Sequence, residues 1–312
     1  MKLSERIESY EARFMKKDLV MEFGDKHDGA IEFAGIVEGG AIEVGYFYGD
    51  IKPKNILVLS SQVGCPARCA FCELGSETFV RNLHADEIYE QAVVMLQQAK
   101  RYGIDIDGIG HKVNMAKSGE PLFNRDLIAG MEKLSGLGCS FKISTVFPVS
   151  GMKNFAAVTD FAASYHLPVQ IQISLISTSE EERRKMAGIR VASFDEIKQA
   201  GDYWRSHNPR GRKINLSLML AEEMACDAAV MHPIFHPDNF RFRFRNYVPT
   251  EHGKARGLET ISEKKYRAVY DSFSAEGYEV GTWATPTPIE QRFNLASNVT
   301  RSRYLRMIQG NF

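Results

Sequence analysis

The run Ser60-Ser61-Gln62-Val63-Gly64-Cys65-Pro66-Ala67-Arg68-Cys69-Ala70-Phe71-Cys72 decides the reading. It continues the segment Asn55–Ser61 (NILVLSS), whose short apolar character predicts a strand. A loop with Cys-x3-Cys-x2-Cys spacing therefore leaves the end of a strand. Cysteine thiolates hold iron–sulfur clusters. Three thiolates on one short loop can bind three irons of a cubane and leave the fourth open to an outside chelating ligand. Structural zinc calls for a closed set of four ligands, commonly in two groups, and no second Cys or Cys/His pair of that kind occurs here. The cysteine count is five, at irregular spacing and with no secretory signal. That pattern does not fit a disulfide framework and points to a reducing compartment.

Outward from that loop the chain alternates. Helical runs at His84–Tyr102, Arg125–Leu137, Lys153–Tyr165 and Ser193–His207 are interleaved with strand-like runs. Those strands are expected at Asp107–Ala116, Ser140–Phe147, Pro168–Leu175, Lys213–Leu220 and Phe240–Tyr247. Such alternation predicts βαβ units and a parallel sheet, and right-handed crossovers wind that sheet into an open or closed barrel. Six strands between 55 and 247 fall short of the eight of a complete barrel. The expected fold is therefore α/β, a partial (βα)6 barrel with its active residues at the C-terminal ends of the strands.

Upstream, Ala30–Val37 and Ala41–Tyr48 read as a β-hairpin turning at Glu38-Gly39-Gly40. The first 20 residues read as a helix with Ile7, Tyr10, Phe14 and Leu19 on one face. Downstream, a helix is expected near Ser262–Ala275 and a strand at Tyr278–Trp283. The chain divides on this reading into an N-terminal helix and hairpin extension (1–54), the barrel (55–250) and a C-terminal cap (251–312).

Lys plus Arg and Asp plus Glu both number 39, so the formal net charge is zero. A dedicated nucleic-acid binder carries a basic excess to neutralise phosphates, so RNA is disfavoured as a partner. No stretch approaches the length and apolarity of a membrane span, and the N-terminus lacks the apolar core of a secretory signal. The expected location is the cytoplasm.

The cysteine loop, with an aromatic residue before its third cysteine, resembles the signature of the radical S-adenosylmethionine (SAM) superfamily. Phe79-Val80-Arg81-Asn82-Leu83 and Ser118-Gly119-Glu120-Pro121-Leu122 extend that likeness to the RlmN/Cfr family of 23S ribosomal RNA adenine methyltransferases. Ile143-Ser144-Thr145, Gln172-Ile173-Ser174-Leu175 and the strand ending at Asn246 follow in the same order. The resemblance implies a [4Fe–4S] cluster on Cys65, Cys69 and Cys72, with SAM on its open iron. An electron, from a donor such as flavodoxin or ferredoxin, then cleaves SAM to a 5′-deoxyadenosyl radical. By the same resemblance Gly119 and Glu120 meet the methionine amino group, and Ser144, Ser174 and Asn246 the ribose and carboxylate. Leu175 and Ile176 fall where the family has a further SAM contact, although the family commonly has histidine at the place of Ile176. Glu43 in the hairpin weakly matches a family glutamate that accepts a proton. Read from the residues alone, it is a solvated hairpin carboxylate.

The family pattern fails at its two methyl-relay cysteines. The first position holds Val58. The second falls near Phe293, and no cysteine follows Cys226. Only residues 1–28 precede the hairpin, room for one helix in place of the family's helical accessory domain. Of the remaining thiols, Cys139 reads as a buried small residue. Cys226 follows a strand and is the candidate for a substitute carrier or hydrogen donor. Arg241, Arg243 and Arg245 alternate with Phe240, Phe242 and Phe244, which puts three guanidinium groups on one face of a strand. That face either lines a polar interior or binds an anion. The expected activity is radical SAM chemistry on a small, anionic, nucleotide-like substrate without the two-cysteine relay. The alternatives are an RNA adenine (C2 or C8) methyltransferase with an altered carrier and a non-catalytic iron–sulfur redox or binding protein.

Overall fold

The structure, a computed structural model, describes residues 2–24, 27–49, 55–108, 110–165 and 167–283. It falls into two compact units. One holds Met1–Pro66 and Glu77–Lys142, the other Ala67–Ser76 and Ile143–Pro286.

The first unit opens with helix α1 (Leu3–Glu8) and strands β1 (Lys16–Phe23), β2 (Ala30–Val37), β3 (Gly40–Phe47) and β4 (Ile56–Leu59). These four strands pair antiparallel in succession. The short strands β5 (Gln62–Val63) and β6 (Arg81–Asn82) form a separate antiparallel pair. Helix α2 (Ala85–Arg101), strand β7 (Lys112–Met115) and helix α3 (Leu127–Ser135) follow, and β7 lies parallel to β4. The apolar stripe of α2 behaves as its periodicity requires, with Ile88, Ala92, Val93 and Leu96 all buried.

The expected helix over the first 20 residues stops at Glu8, and Lys16–Phe23 is a strand. The cause is a distant carboxylate. Glu90, fully buried on α2, accepts the backbone N–H groups of Arg13 (2.6 Å), Phe14 (2.9 Å) and Met15 (2.7 Å) and the Tyr10 hydroxyl (3.1 Å). Those amides are committed to Glu90, so they cannot continue a helical ladder. The strand expected over Asp107–Ala116 is likewise shorter, confined to Lys112–Met115.

Strand β8 (Ser140–Thr145) carries the chain from the first unit into the second. The second unit then alternates helices α4 (Met152–Tyr165), α5 (Glu180–Met186) and α6 (Phe194–His207) with strands β9 (Val169–Ile176) and β10 (Ile214–Leu220). Helix α7 (Ala228–Met231), strand β11 (Phe240–Asn246), helices α8 (Glu251–Lys254) and α9 (Glu263–Ala275) and strand β12 (Val280–Trp283) complete it. Strands β9 to β12 are parallel neighbours in that order. Ser193, at the start of the expected helical run, caps α6, its hydroxyl accepting from the Glu196 N–H at 3.1 Å while the Glu196 carboxylate accepts from the Ser193 N–H.

The alternation on β11 is resolved as a two-faced strand. Phe240, Phe242 and Phe244 are buried, and Phe242 and Phe244 pack on Phe273 of α9 with ring centroids 4.5 Å and 5.2 Å apart. Arg241, Arg243 and Arg245 therefore occupy the face away from the helix. The architecture is the expected α/β class, a mostly parallel sheet preceded by antiparallel strands.

Candidate active site

In the first unit the stem of the cysteine loop is clamped before it reaches Cys65. Ser118 O accepts the N–H groups of Ser61 (2.8 Å) and Gln62 (3.1 Å). Gln62 returns the contact, its Oε1 accepting the Glu120 N–H at 2.8 Å. Asn124, fully buried, donates its amide to Ser61 O (2.7 Å) and Leu83 O (2.8 Å). Ser60 Oγ donates to Glu43 O at 2.6 Å and accepts the Ser118 N–H at 3.0 Å. The two sequence motifs are thus one hydrogen-bonded frame.

Gly119 holds φ +108°, and a Cβ there would lie 2.6 Å from Ser61 Oγ and 2.8 Å from Gln62 N. Only glycine fits so close an approach. The Glu120 side chain is 3% exposed and accepts the Leu122 N–H at 3.0 Å.

Glu43 is not a solvated hairpin carboxylate. It is fully buried, and Lys117 Nζ stands 3.9 Å from its carboxylate and 2.8 Å from that of Glu32, itself 4% exposed. Lys117 directly precedes the Ser118–Pro121 motif, so its ammonium joins that motif to the hairpin. Cys139 is buried, and burial pushes its thiol up to about 12, as suits a packing residue.

In the second unit the rest of the loop docks on helix α5. Ala70 N–H donates to Met186 O at 2.8 Å, and Gly188 N–H to Ala67 O at 2.9 Å. Cys69 is 6% exposed and Cys72 half-buried; Cys72 N–H donates to Cys69 O. Phe71 packs on the cluster of Ile176, Ala221, Met224, Tyr247 and Leu258, all at or beyond the C-terminal ends of β9, β10 and β11. Within this unit the cysteine loop thus lies at the end of the strands where the barrel reading expects active residues.

The remaining candidates are spread over the same strands. Ser144 lies on β8 and Ser174 on β9, where Ser174 pairs with Ser217 of β10. Asn246 ends β11 opposite Leu220. The Leu175 side chain is fully buried, so any ligand contact falls to its backbone. Ile176 is buried at φ +74°, beside the register shift between β9 and β10. A β-branched residue there is a true backbone outlier, and such strain collects at functional sites. Cys226 is half-buried, and burial pushes its thiol up to about 11, with Glu182 adding to the rise and Lys265 opposing it. The thiol is therefore protonated near neutral pH, and a protonated thiol is a poor nucleophile. The place of the family's carrier cysteine, near Phe293, lies outside the described residues.

Arg183 was missed from the sequence. It sits in Glu180-Glu181-Glu182-Arg183-Arg184-Lys185, which looks like a solvated charge run. The signal was there: Ser179 caps α5, acidic residues fill its first turn and basic ones its last. One face of that helix then buries Arg183 to 2% exposure.

The Radical SAM superfamily profile matches residues 59–229. The chain belongs to the radical SAM superfamily. It is 29% identical over 272 residues to a probable dual-specificity RNA methyltransferase RlmN of Deinococcus deserti, covering 81% of this chain and 72% of that protein. It is 31% identical over 178 residues to the dual-specificity RNA methyltransferase RlmN of Bradyrhizobium diazoefficiens, covering 54% of this chain and 43% of the relative. Among solved structures, a radical SAM methyltransferase from Sphaerobacter thermophilus superposes with a TM-score of 0.74 at 17% identity, over 95% of this chain and 83% of the other. That likeness shows the fold, the partial barrel expected from the sequence. No helix among the described residues is long and apolar enough to cross a membrane.

Membership of the superfamily implies a [4Fe–4S] cluster and SAM. The donor set suits the cluster. Three thiols, Cys65, Cys69 and Cys72, fall on one short loop, and thiolates are the ligands of iron–sulfur clusters. Arg183, a buried cation, sits on the helix against which the cysteine loop docks. The backbone cradle at Gly119 is equally specific, since any side chain there would displace Ser61 or Gln62.

Proposed function

We propose that this radical SAM enzyme abstracts hydrogen from a small anionic substrate and does not run the two-cysteine methyl relay of its RlmN relatives. The observation that carries the proposal is Val58. It occupies the strand-one position where the relay needs a thiol, is 7% exposed and pairs with Gly45 of β3 and Asn114 of β7. A valine at that place supplies no nucleophile. Cys226, the thiol nearest in kind to a substitute, is held protonated by burial. When bound, the cluster and SAM supply reductive cleavage to a 5′-deoxyadenosyl radical. The chain's own share is to hold and orient. Cys65, Cys69 and Cys72 ligate the cluster. Gly119 and Glu120 receive the methionine amino group, while Ser144, Ser174, Asn246 and the backbone at Leu175 and Ile176 position the remainder of SAM. Glu43, with Lys117 beside it, is the candidate proton acceptor in the hairpin.

The anionic character of the substrate rests on the arginine face of β11. Arg241 is neutralised by Glu279 at 2.6 Å and also donates its Nε–H to Asn215 Oδ1. Arg243, on the same row as Ser217 and Ser174, has no such partner among the described residues. Gly281 on β12 leaves the space for its guanidinium, since a Cβ there would lie 2.7 Å from Nη1. A half-buried guanidinium with open donors suits a carboxylate or phosphate.

The test is anaerobic turnover with SAM and dithionite, quantifying 5′-deoxyadenosine and S-adenosylhomocysteine. The expected result is 5′-deoxyadenosine alone, abolished in Cys65→Ser, Cys69→Ser and Cys72→Ser. Both products together, with methylated RNA when RNA is supplied, would instead establish an RNA methyltransferase with an altered carrier. A loaded cluster without SAM cleavage, also in the presence of cell extract as a substrate source, would leave a redox or binding protein.

A further inference from the structure

Arg183 is a buried charge with no counter-charge beside it among the described residues. The side chain is 2% exposed. Its two terminal nitrogens donate to the backbone oxygens of Ala192 and of Val146, the latter at 2.8 Å, and both acceptors are neutral. Its Nε is buried and makes no hydrogen bond. The acidic residues whose charge reaches it are engaged elsewhere. Glu180 accepts from Phe194 N–H and pairs with Arg184, and Glu196 caps Ser193. No carboxylate stands within ion-pair distance of Arg183 among the described residues. Removing a cation from water without a partner is among the costlier acts in folding, so an anion is called for at this place.

Cys69 lies on the loop that packs against the helix carrying Arg183. Ala70, next to Cys69, donates to Met186 O, one turn beyond Arg183 on α5, and Ala67 O accepts from Gly188 just past that helix. The cysteine loop is thus docked on the C-terminal end of the short helix that carries the arginine. A cubane ligated by three thiolates is anionic, and reduction adds a further negative charge. Cluster potentials are set by net charge, burial and hydrogen bonds to the sulfurs.

We propose that Arg183 is the electrostatic partner of the cluster and acts through Cys69 to raise its reduction potential. The proposal rests on the cluster being ligated by Cys69. A fixed, buried positive charge favours the reduced cluster over the oxidised one, because the reduced form carries the greater negative charge. Arg183 would then be a positioning residue that brings the electron-transfer step within reach of a cellular one-electron donor.

The test uses anaerobically reconstituted full-length protein and three variants, Arg183→Lys, Arg183→Gln and Arg183→Met. Iron and sulfide are counted first. Loss of iron from Cys69→Ser confirms the underlying ligation independently, and retention of a full cluster by that variant would remove the basis of the proposal. Redox titration followed by electron paramagnetic resonance then reads the ratio of reduced to oxidised cluster at a fixed potential. In the two neutral variants that ratio is expected to fall at least tenfold, equivalent to about 59 mV for one electron. Lysine, which keeps the charge, is expected to restore most of it. A merely structural role would lower the melting temperature of all three variants without separating lysine from glutamine. Fully loaded Arg183→Gln with a wild-type ratio, or lysine and glutamine variants shifted equally, would overturn the proposal. Glutamine retains a donor for Ala192 or Val146, so it covers the case in which the methionine variant fails to fold.

Discussion

Gly119 and Ser61 approach so closely that a Cβ on the glycine would lie 2.6 Å from the serine Oγ. The contact joins the Ser118–Pro121 motif to the stem of the cysteine loop. Gly119→Ala places a methyl group in that space and an L-residue at φ +108°. The backbone strain alone costs about 1–3 kcal/mol. The expected outcome is a lower urea midpoint and SAM binding weakened at least tenfold, read by equilibrium dialysis on the reconstituted protein. Wild-type affinity in the alanine variant would show that the close approach has no part in forming the SAM site.

Lys117 bridges two buried carboxylates, Glu32 at 2.8 Å and Glu43 at 3.9 Å. Replacing it by methionine leaves both without their ammonium. Removing one member of a buried ionic group typically costs about 3–5 kcal/mol. Lys117→Met is expected to lose stability on that scale in urea unfolding at neutral pH, and a Glu32→Gln/Lys117→Met double variant to recover part of it. A methionine variant as stable as wild type would mean the ammonium is dispensable to the hairpin.

His111 is 4% exposed, and burial depresses its pKa to about 4, well below the ordinary value of 6.5. Its Nε2 lies 3.3 Å from the Tyr46 hydroxyl, which donates to Asn55 Oδ1. The folded protein thus keeps this imidazole neutral while the unfolded chain protonates it below about pH 6.5. More protons bind to the unfolded state in that window, so stability falls as pH drops from about 6.5 to about 4 and levels off below. The span corresponds to something on the order of 3 kcal/mol. His111→Gln should flatten that part of the profile, measured as urea midpoints at steps between pH 7 and pH 4.

Cys226 provides a chemical check on whether a methyl relay operates. With its thiol pushed up to about 11, alkylation by iodoacetamide near pH 7 should be at least tenfold slower than that of a free cysteine, whose pKa is about 8.5. Cys226→Ala should still release 5′-deoxyadenosine. A fast-reacting Cys226, together with loss of turnover in the alanine variant, would restore it as a carrier.

Much of the barrel was legible because its elements are periodic at the scale of their own length. The α2 stripe, the Ser193 cap and the Phe/Arg alternation of β11 all folded as their spacing requires. The cysteine loop and Ser118–Pro121 were legible as motifs, but the frame joining them comes from Gln62 and Asn124, residues with no local pattern to mark them. The strand β1 was unreadable for a similar reason. Glu90, some 75 residues away, captures the amides that would have extended the first helix. Charge in a sequence is read by default as solvation, so Glu43 was misjudged and Arg183 passed over, yet both are buried against other elements.

Strand β1 stands at the outer end of the strand order, and its pairing with β2 slips between Lys16 and Met21. An outer strand in regular register would offer a row of open backbone groups to any unfolded chain nearby. The slip interrupts that row. An edge broken in this way is a poorer template for strand-by-strand pairing with another chain than a regular one would be.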